Sequence, residues 1–168
     1  YLPTESYPGL PRSITNPLQE VTTFDGYDAN GRLLTATLPG NRQVSYGYDA
    51  KGNVTRVTPV VAAWPDHGFA YSDVDLVSGY TPPDPDALSN DAYASIGYTY
   101  YQDRQPDLVQ QTLSDAPLTP VTALDFDYNA FGKVSSVAVD GVGTSNFGYD
   151  PATGQLVSAT TPDQVALG

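Results

Sequence analysis

Tyr27-Asp28-Ala29-Asn30-Gly31-Arg32-Leu33 is followed, 21 residues later, by Tyr48-Asp49-Ala50-Lys51-Gly52-Asn53-Val54. Tyr128-Asn129-Ala130-Phe131-Gly132-Lys133-Val134 is followed at the same interval by Tyr149-Asp150-Pro151-Ala152-Thr153-Gly154-Gln155-Leu156, with one extra residue before its glycine. A fixed period recurring in both halves of a chain is the mark of a repeat architecture. Aromatic residues also precede the tyrosines, at Phe24, Tyr46, Phe126 and Phe147.

The local physics of the unit follows from its residue types. An aspartate opening a turn accepts a hydrogen bond from a backbone N–H two residues on, and a glycine closing it supplies conformations that other residues resist. Tyr-Asp-x-x-Gly therefore closes a β-hairpin, with structural motif residues Tyr27, Asp28, Gly31, Tyr48, Asp49, Gly52, Tyr128, Asn129, Gly132, Tyr149, Asp150 and Gly154. Between turns, Val44, Tyr46 and Tyr48 alternate with Gln43, Ser45 and Gly47, and Leu34, Ala36 and Leu38 alternate on the preceding stretch. That period of two is the signature of strands with one face apolar. Pro39-Gly40-Asn41 punctuates the two strands, so one period holds two strands and two turns.

Composition agrees. The chain has 168 residues, enough for one domain with a core, and its 15 glycines and 15 prolines favour turns over long helices. Thirteen tyrosines against five phenylalanines and one tryptophan suit a thin sheet, because each tyrosine brings an apolar face and a hydroxyl that must reach water or a partner. The net charge is −12, with Glu5 and Glu20 the only glutamates and Lys51 and Lys133 the only lysines. Such a surface repels phosphate, which argues against nucleic acid and anionic membranes as partners. No apolar run approaches the roughly 20 residues of a membrane helix, so membrane insertion is not expected. Without cysteine there is no disulfide or thiolate chemistry, and the start at Tyr1 with no methionine reads as a segment excised from a longer chain.

At these motifs the sequence resembles the rearrangement-hotspot (RHS) and tyrosine-aspartate (YD) repeat proteins, bacterial members of which resemble toxin-complex shells, with teneurins as animal relatives. Tyr27 to Gly40 is the most complete copy; the others replace the arginine position with Asn53, Lys133 and Gln155, which weakens a role for that position. The resemblance extends to Trp64-Pro65-Asp66-His67-Gly68-Phe69-Ala70-Tyr71 and Tyr80-Thr81-Pro82-Pro83, similar to a linker between repeat blocks. The expected organisation is a single repeat-type domain: a Pro-rich lead-in over 1–23, two YD repeats over 24–58, a Pro/Tyr-rich linker block over 59–97, then a degenerate repeat and two YD repeats over 98–163. The resemblance implies an all-β fold of repeated antiparallel hairpins without substantial helix, in a spiral or shell wall with its tyrosines stacked along the inner surface. It also implies an extracellular or cell-surface bacterial setting. Expected partners are further YD repeats of the same or another copy, and enclosed toxin cargo or a glycan.

Other chemistries fit the residues poorly. His67 is the only histidine, and a triad with Asp66 or Asp73 and a serine lacks a Gly-x-Ser-x-Gly elbow. Asp28-x-Asn30-Gly31 looks like the middle of a calcium loop, but Gly26 and Thr37 stand where its outer ligands belong. Gly141-Val142-Gly143 lacks the lysine of a phosphate loop. Asp150-Pro151-Ala152-Thr153-Gly154 resembles a self-cleavage motif, yet its spacing from Tyr128 accounts for it as a repeat turn. Scattered aspartates single out no carboxylate pair for glycoside hydrolysis. The expectation is thus a non-enzymatic structural scaffold, part of a shell wall or a self-assembling filament, with no catalytic residue, cofactor or metal. The alternative is a carbohydrate-binding or adhesion module using Trp64, Tyr98, Tyr100 and Tyr101.

Overall fold

The computed structural model describes residues 8–60, 66–83, 94–113, 120–163 and 166–167. The repeat sentence becomes hairpins throughout, and among the described residues there is no helix. The chain divides into two compact units, Tyr1–Asn90 and Asp91–Gly168. Each is an antiparallel meander in which every strand pairs with its sequence neighbours, as hairpin connections dictate.

The first unit runs β1 (Ser13–Thr15), β2 (Val21–Tyr27), β3 (Leu33–Leu38), β4 (Arg42–Tyr48), β5 (Val54–Val60), β6 (His67–Tyr71) and β7 (Val77–Thr81). The second runs β8 (Ala94–Tyr100), β9 (Pro106–Leu113), β10 (Pro120–Tyr128), β11 (Val134–Val139), β12 (Gly143–Tyr149), β13 (Leu156–Thr160) and β14 (Ala166–Leu167). The stretch 59–97 that reads as a linker carries a hairpin of its own, β6–β7, and the lead-in contributes β1. Trp64 lies outside the described residues.

Register separates two kinds of face. In the first unit Phe24, Ala36, Val44 and Pro59 face one another across β2 to β5, while Thr23, Thr37 and Gln43 share the opposite face. The second unit repeats the division, with Val109, Leu124 and Val139 aligned in one row and Gln110 and Ala123 in the next. On the polar face hydroxyls and carboxylates pair: Thr37 Oγ1 donates to Asp25 Oδ2 at 2.7 Å, and Ser136 Oγ to Asp127 Oδ2 at 2.8 Å. The core is thin. Among the described residues only Ala36 and Val44, direct cross-strand neighbours, are buried hydrophobics. Cohesion therefore leans on backbone ladders, half-buried aromatics and the turns.

Register slips by one residue just before the repeat tyrosines, at Gly26/Tyr27, Gly47/Tyr48, Asp127/Tyr128 and Gly148/Tyr149. A β-bulge there bends the strand into its turn. Glycine at 26, 47 and 148 fits because a Cβ would press on Thr35 Oγ1, Arg56 Cβ and Ser158 Oγ respectively.

Candidate functional site

The turn after each repeat tyrosine is built the same way. At Asp28 the backbone N–H donates to Arg32 O at 2.9 Å and Gly31 N–H returns to Asp28 O at 3.0 Å. Asp28 Oδ1 then accepts the N–H groups of Asn30 and Arg32, both at 2.9 Å. Asp49, Asn129 and Asp150 accept backbone N–H groups in the same way. The carboxylates thus serve as fixed acceptors, and charge-assisted bonds of this type favour the ionised form. The Arg32 N–H, followed by its side chain, holds Asp28 below the usual carboxylate range. The Asn53 side chain does so for Asp49, and the Thr153 N–H for Asp150.

Three further turns share this backbone pattern without the Tyr-Asp-x-x-Gly spelling. Asn16, Ser72 and Tyr101 stand at the aspartate position, with Gln19, Asp75 and Arg104 at the glycine position. Those three have φ of 63°, 62° and 70°, the left-handed region that Gly31, Gly132 and Gly154 occupy at 78°, 71° and 70°. Asn16 is recognisable in sequence as an Asx acceptor, with Oδ1 taking Leu18 N–H and Glu20 N–H. Ser72 accepts more weakly from Leu76 N–H at 3.2 Å, and at the Tyr101 turn Asp103 Oδ1 takes over by accepting Gln105 N–H at 3.1 Å.

Each turn is tied to the next. Arg32 forks: Nε pairs with Asp28 Oδ2 at 2.6 Å, Nη1 donates to the Asp49 carbonyl at 3.0 Å, and the guanidinium lies 4.8 Å from the centre of the Tyr48 ring. One turn later Asn53 Nδ2 donates to Asp75 Oδ1 at 2.9 Å, and Lys51 Nζ donates to Asp73 O at 2.6 Å. In the second unit Gln105 Nε2 donates to Gly132 O at 2.8 Å, and Lys133 Nζ donates to Gly154 O while lying 5.1 Å from the centre of the Tyr149 ring. The sequence variation at the arginine position had weakened its claim to a role; in the structure Arg32, Gln105 and Lys133 each reach a carbonyl of the next turn and Asn53 reaches the Asp75 carboxylate, whereas Leu76 at the Ser72 turn has no donor to offer. What recurs is a side-chain N–H donor rather than a charge, a signal visible in Arg32, Asn53, Gln105 and Lys133 once the turns are aligned.

The tyrosines are latches. Tyr48 hydroxyl donates to Leu33 O at 2.7 Å, Tyr71 to Val54 O at 2.8 Å and Tyr149 to Val134 O at 2.9 Å. Each reaches the first strand residue of the preceding hairpin. Among the described residues, what lies against the Tyr48 and Tyr149 rings is a cation of the preceding turn, in place of the ring-on-ring stack that the resemblance implied; the negative ring face attracts it.

The RHS repeat family model matches residues 9–40 and 27–59, taking in the turns at Asn16, Asp28 and Asp49. The stretch 9–59 carries RHS repeats. The crystal structure of TcdB2-TccC3-Cdc42 shares its fold with a TM-score of 0.68 at 18% identity, covering 84% of this chain and 7% of that one. Those of TcdB2-TccC3-TEV and of TcdB2-TccC3 without its hypervariable C-terminal region match with TM-scores of 0.68 and 0.67, both at 19% identity. The chain thus spans 7% of the length of these structures. No curated protein matches its sequence.

The remaining candidates fall apart or together as follows. His67 stacks on Tyr80 at 6.1 Å, with Nδ1 2.9 Å from the Tyr80 hydroxyl, while Asp66 faces Arg56 at 3.3 Å. No group of three or more metal-ligating side chains is arranged to hold an ion among the described residues. Tyr98 and Tyr100 are half-buried strand residues, whereas Tyr101 is 40% exposed. Tyr101 meets Tyr128 edge-on, with centroids 5.9 Å apart and planes at 88°. The two rings border a cleft of about 760 Å³ between the β8–β9 and β10–β11 turns.

Proposed function

We propose that this chain is a non-enzymatic structural β-scaffold, a segment of wall built from RHS repeats outside a bacterial cell. The row of stitched turns carries this reading. Arg32, Asn53, Gln105 and Lys133 each join one hairpin to the next, and the aspartates that chemistry would need are engaged as turn acceptors. Repeated use of the same residues serves a lattice better than one localised reaction centre. The fold shared with TcdB2-TccC3 and the RHS repeat match support a wall segment, and we take further YD repeats of the same chain or another copy as its continuation and enclosed toxin as its cargo.

A self-assembling filament is the variant of this function. Size-exclusion chromatography and electron microscopy of the chain separate the two: discrete particles support the wall segment, and concentration-dependent fibres would replace it with the filament. Turnover in a hydrolase substrate screen would defeat the non-enzymatic assignment. The exposure of Tyr101 favours a second reading, a carbohydrate-binding or adhesion surface, for which a glycan array with no signal is the disproof.

A further inference from the structure

At the cleft of the second unit, as at the Asn53 step onto Tyr71, the side chain that joins one turn to the next carries no charge. In two other steps along the turns a cation lies against the following tyrosine, Arg32 on Tyr48 and Lys133 on Tyr149. The step onto Tyr128 has Gln105 in the corresponding place, and its amide satisfies Gly132 O at 2.8 Å without bringing any charge to the ring. The latch changes as well. Tyr48 and Tyr149 hydroxyls are bound to Leu33 and Val134 carbonyls, whereas among the described residues Tyr128 makes no such bond to Pro106.

What surrounds the vacated position is negative and aromatic. Tyr101, Asp103, Gln105, Asp127 and Tyr128 line the cleft. Tyr101 stands edge-on to Tyr128 and is held there by its hydroxyl donating to Phe126 O at 3.2 Å. Burial, and then the charges of Asp103 and Asp107, push the Tyr128 hydroxyl pKa up, so the site disfavours additional negative charge. Asp103 and Asp127 each already accept one bond, from Gln105 N–H and Ser136 Oγ, and a carboxylate has acceptor positions to spare.

We infer that the Tyr101–Tyr128 cleft binds an organic cation, an ammonium or guanidinium group that takes the place Arg32 and Lys133 occupy in their own repeats. The ring face attracts the charge, the carboxylates neutralise it, and the cleft volume admits an alkyl stem. The group is a lysine or arginine side chain of a partner polypeptide or a free polyamine. This inference is independent of the wall assignment, since it rests on one step of the repeat.

The test uses the full chain carrying ¹³C-labelled tyrosine, titrated by NMR with capped Ala-Lys-Ala, Ala-Arg-Ala and Ala-Gln-Ala peptides, with spermidine, and with a neutral oligosaccharide. Saturable shifts of the Tyr101 and Tyr128 rings with a cationic probe, absent with Ala-Gln-Ala, are expected. Saturation by peptide assigns the cation to a partner side chain, and by spermidine alone to a polyamine. Gln105→Lys supplies the repeat's own cation and should weaken binding at least about tenfold. The inference is overturned if Gln105→Lys binds as tightly as the parent, if Tyr48 and Tyr149 shift as much as Tyr128, or if only the sugar binds. Tyr128→Leu, with folding checked by circular dichroism, should also abolish saturation; retained binding there would likewise overturn it.

Discussion

The step from Asp28 to Asp49 and the step from Tyr101 to Asn129 are the same piece of geometry made from different chemistry. In the first, a guanidinium pairs with its own aspartate, bonds to the next turn and covers a tyrosine whose hydroxyl is latched. In the second, an amide makes only the bond to the next turn, and a cleft remains beside Tyr128. At both steps a side-chain donor spans the turns, charged in one and neutral in the other. Binding capacity appears at the neutral one. Among the described residues, the two buried hydrophobics, Ala36 and Val44, also lie in the first unit.

The largest effect that sharpens this contrast is truncation of the tyrosines. Tyr48→Ala removes a latched, cation-covered ring and should destabilise the first unit by about 3 kcal/mol, while Tyr128→Ala should cost about 2 kcal/mol in the second. Hydrogen exchange followed separately in β2–β5 and β8–β11 measures each, and equal losses would erase the distinction. The hydroxyl alone divides them more cleanly. Tyr48→Phe forfeits its bond to Leu33 O, worth about 1 kcal/mol, whereas Tyr128→Phe should leave exchange in the second unit unchanged.

A gain of similar size is expected at the turn that opens the second unit. Arg104 sits at φ 70° without a glycine's freedom, so Arg104→Gly should stabilise that unit by about 1 kcal/mol, read as slower exchange of Gln105 and Tyr101 amides. Asp75→Gly should gain less than Arg104→Gly, because Asp75 also receives Asn53 and Lys51. A loss of protection in Arg104→Gly would show that its side chain holds the turn.

The smallest effect is on pH. Asp28, Asp49 and Asp75 in the first unit are all held below the ordinary carboxylate range by hydrogen bonds from Arg32, from Asn53, and from Asn53 and Lys51. A depressed folded pKa means stability that is complete above the ordinary aspartate value of about 3.9 and lost as pH falls from there through the folded pKa. Below about pH 4, protection of the Arg32 and Asn53 amides should therefore fall before that of Lys133, whose acceptor Asn129 does not titrate. Asp28→Asn should flatten the response at Arg32. Simultaneous loss at all three amides would mean that acid acts on the chain as a whole.

Much of this was legible beforehand. Asp28, Asp49 and Asp150 announce their turns because an Asx acceptor and a following glycine act within a few residues, and Val44-x-Tyr46-x-Tyr48 announces a strand because side chains alternate. The turn at Ser72 was hidden because neither Ser72 nor Asp75 keeps the repeat's spelling, and the turn at Tyr101 was legible only as a degenerate repeat, since Arg104 adopts left-handed backbone that its residue type disfavours. The bridging role of Arg32 was hidden too, because its partner carbonyl is 17 residues away and a turn carbonyl serves as acceptor for arginine, lysine or glutamine alike.

The amino-acid sequence by itself determined that this chain is a succession of Tyr-Asp-x-x-Gly hairpins, because turn chemistry and two-residue alternation are local. Only the tertiary structure decided which side chain spans from one hairpin to the next, where a non-glycine residue is forced into a glycine's conformation, and which tyrosines have a cation against the ring. Those outcomes depend on carbonyls, rings and carboxylates contributed by distant residues, whose meeting is set by strand register rather than by neighbours along the chain.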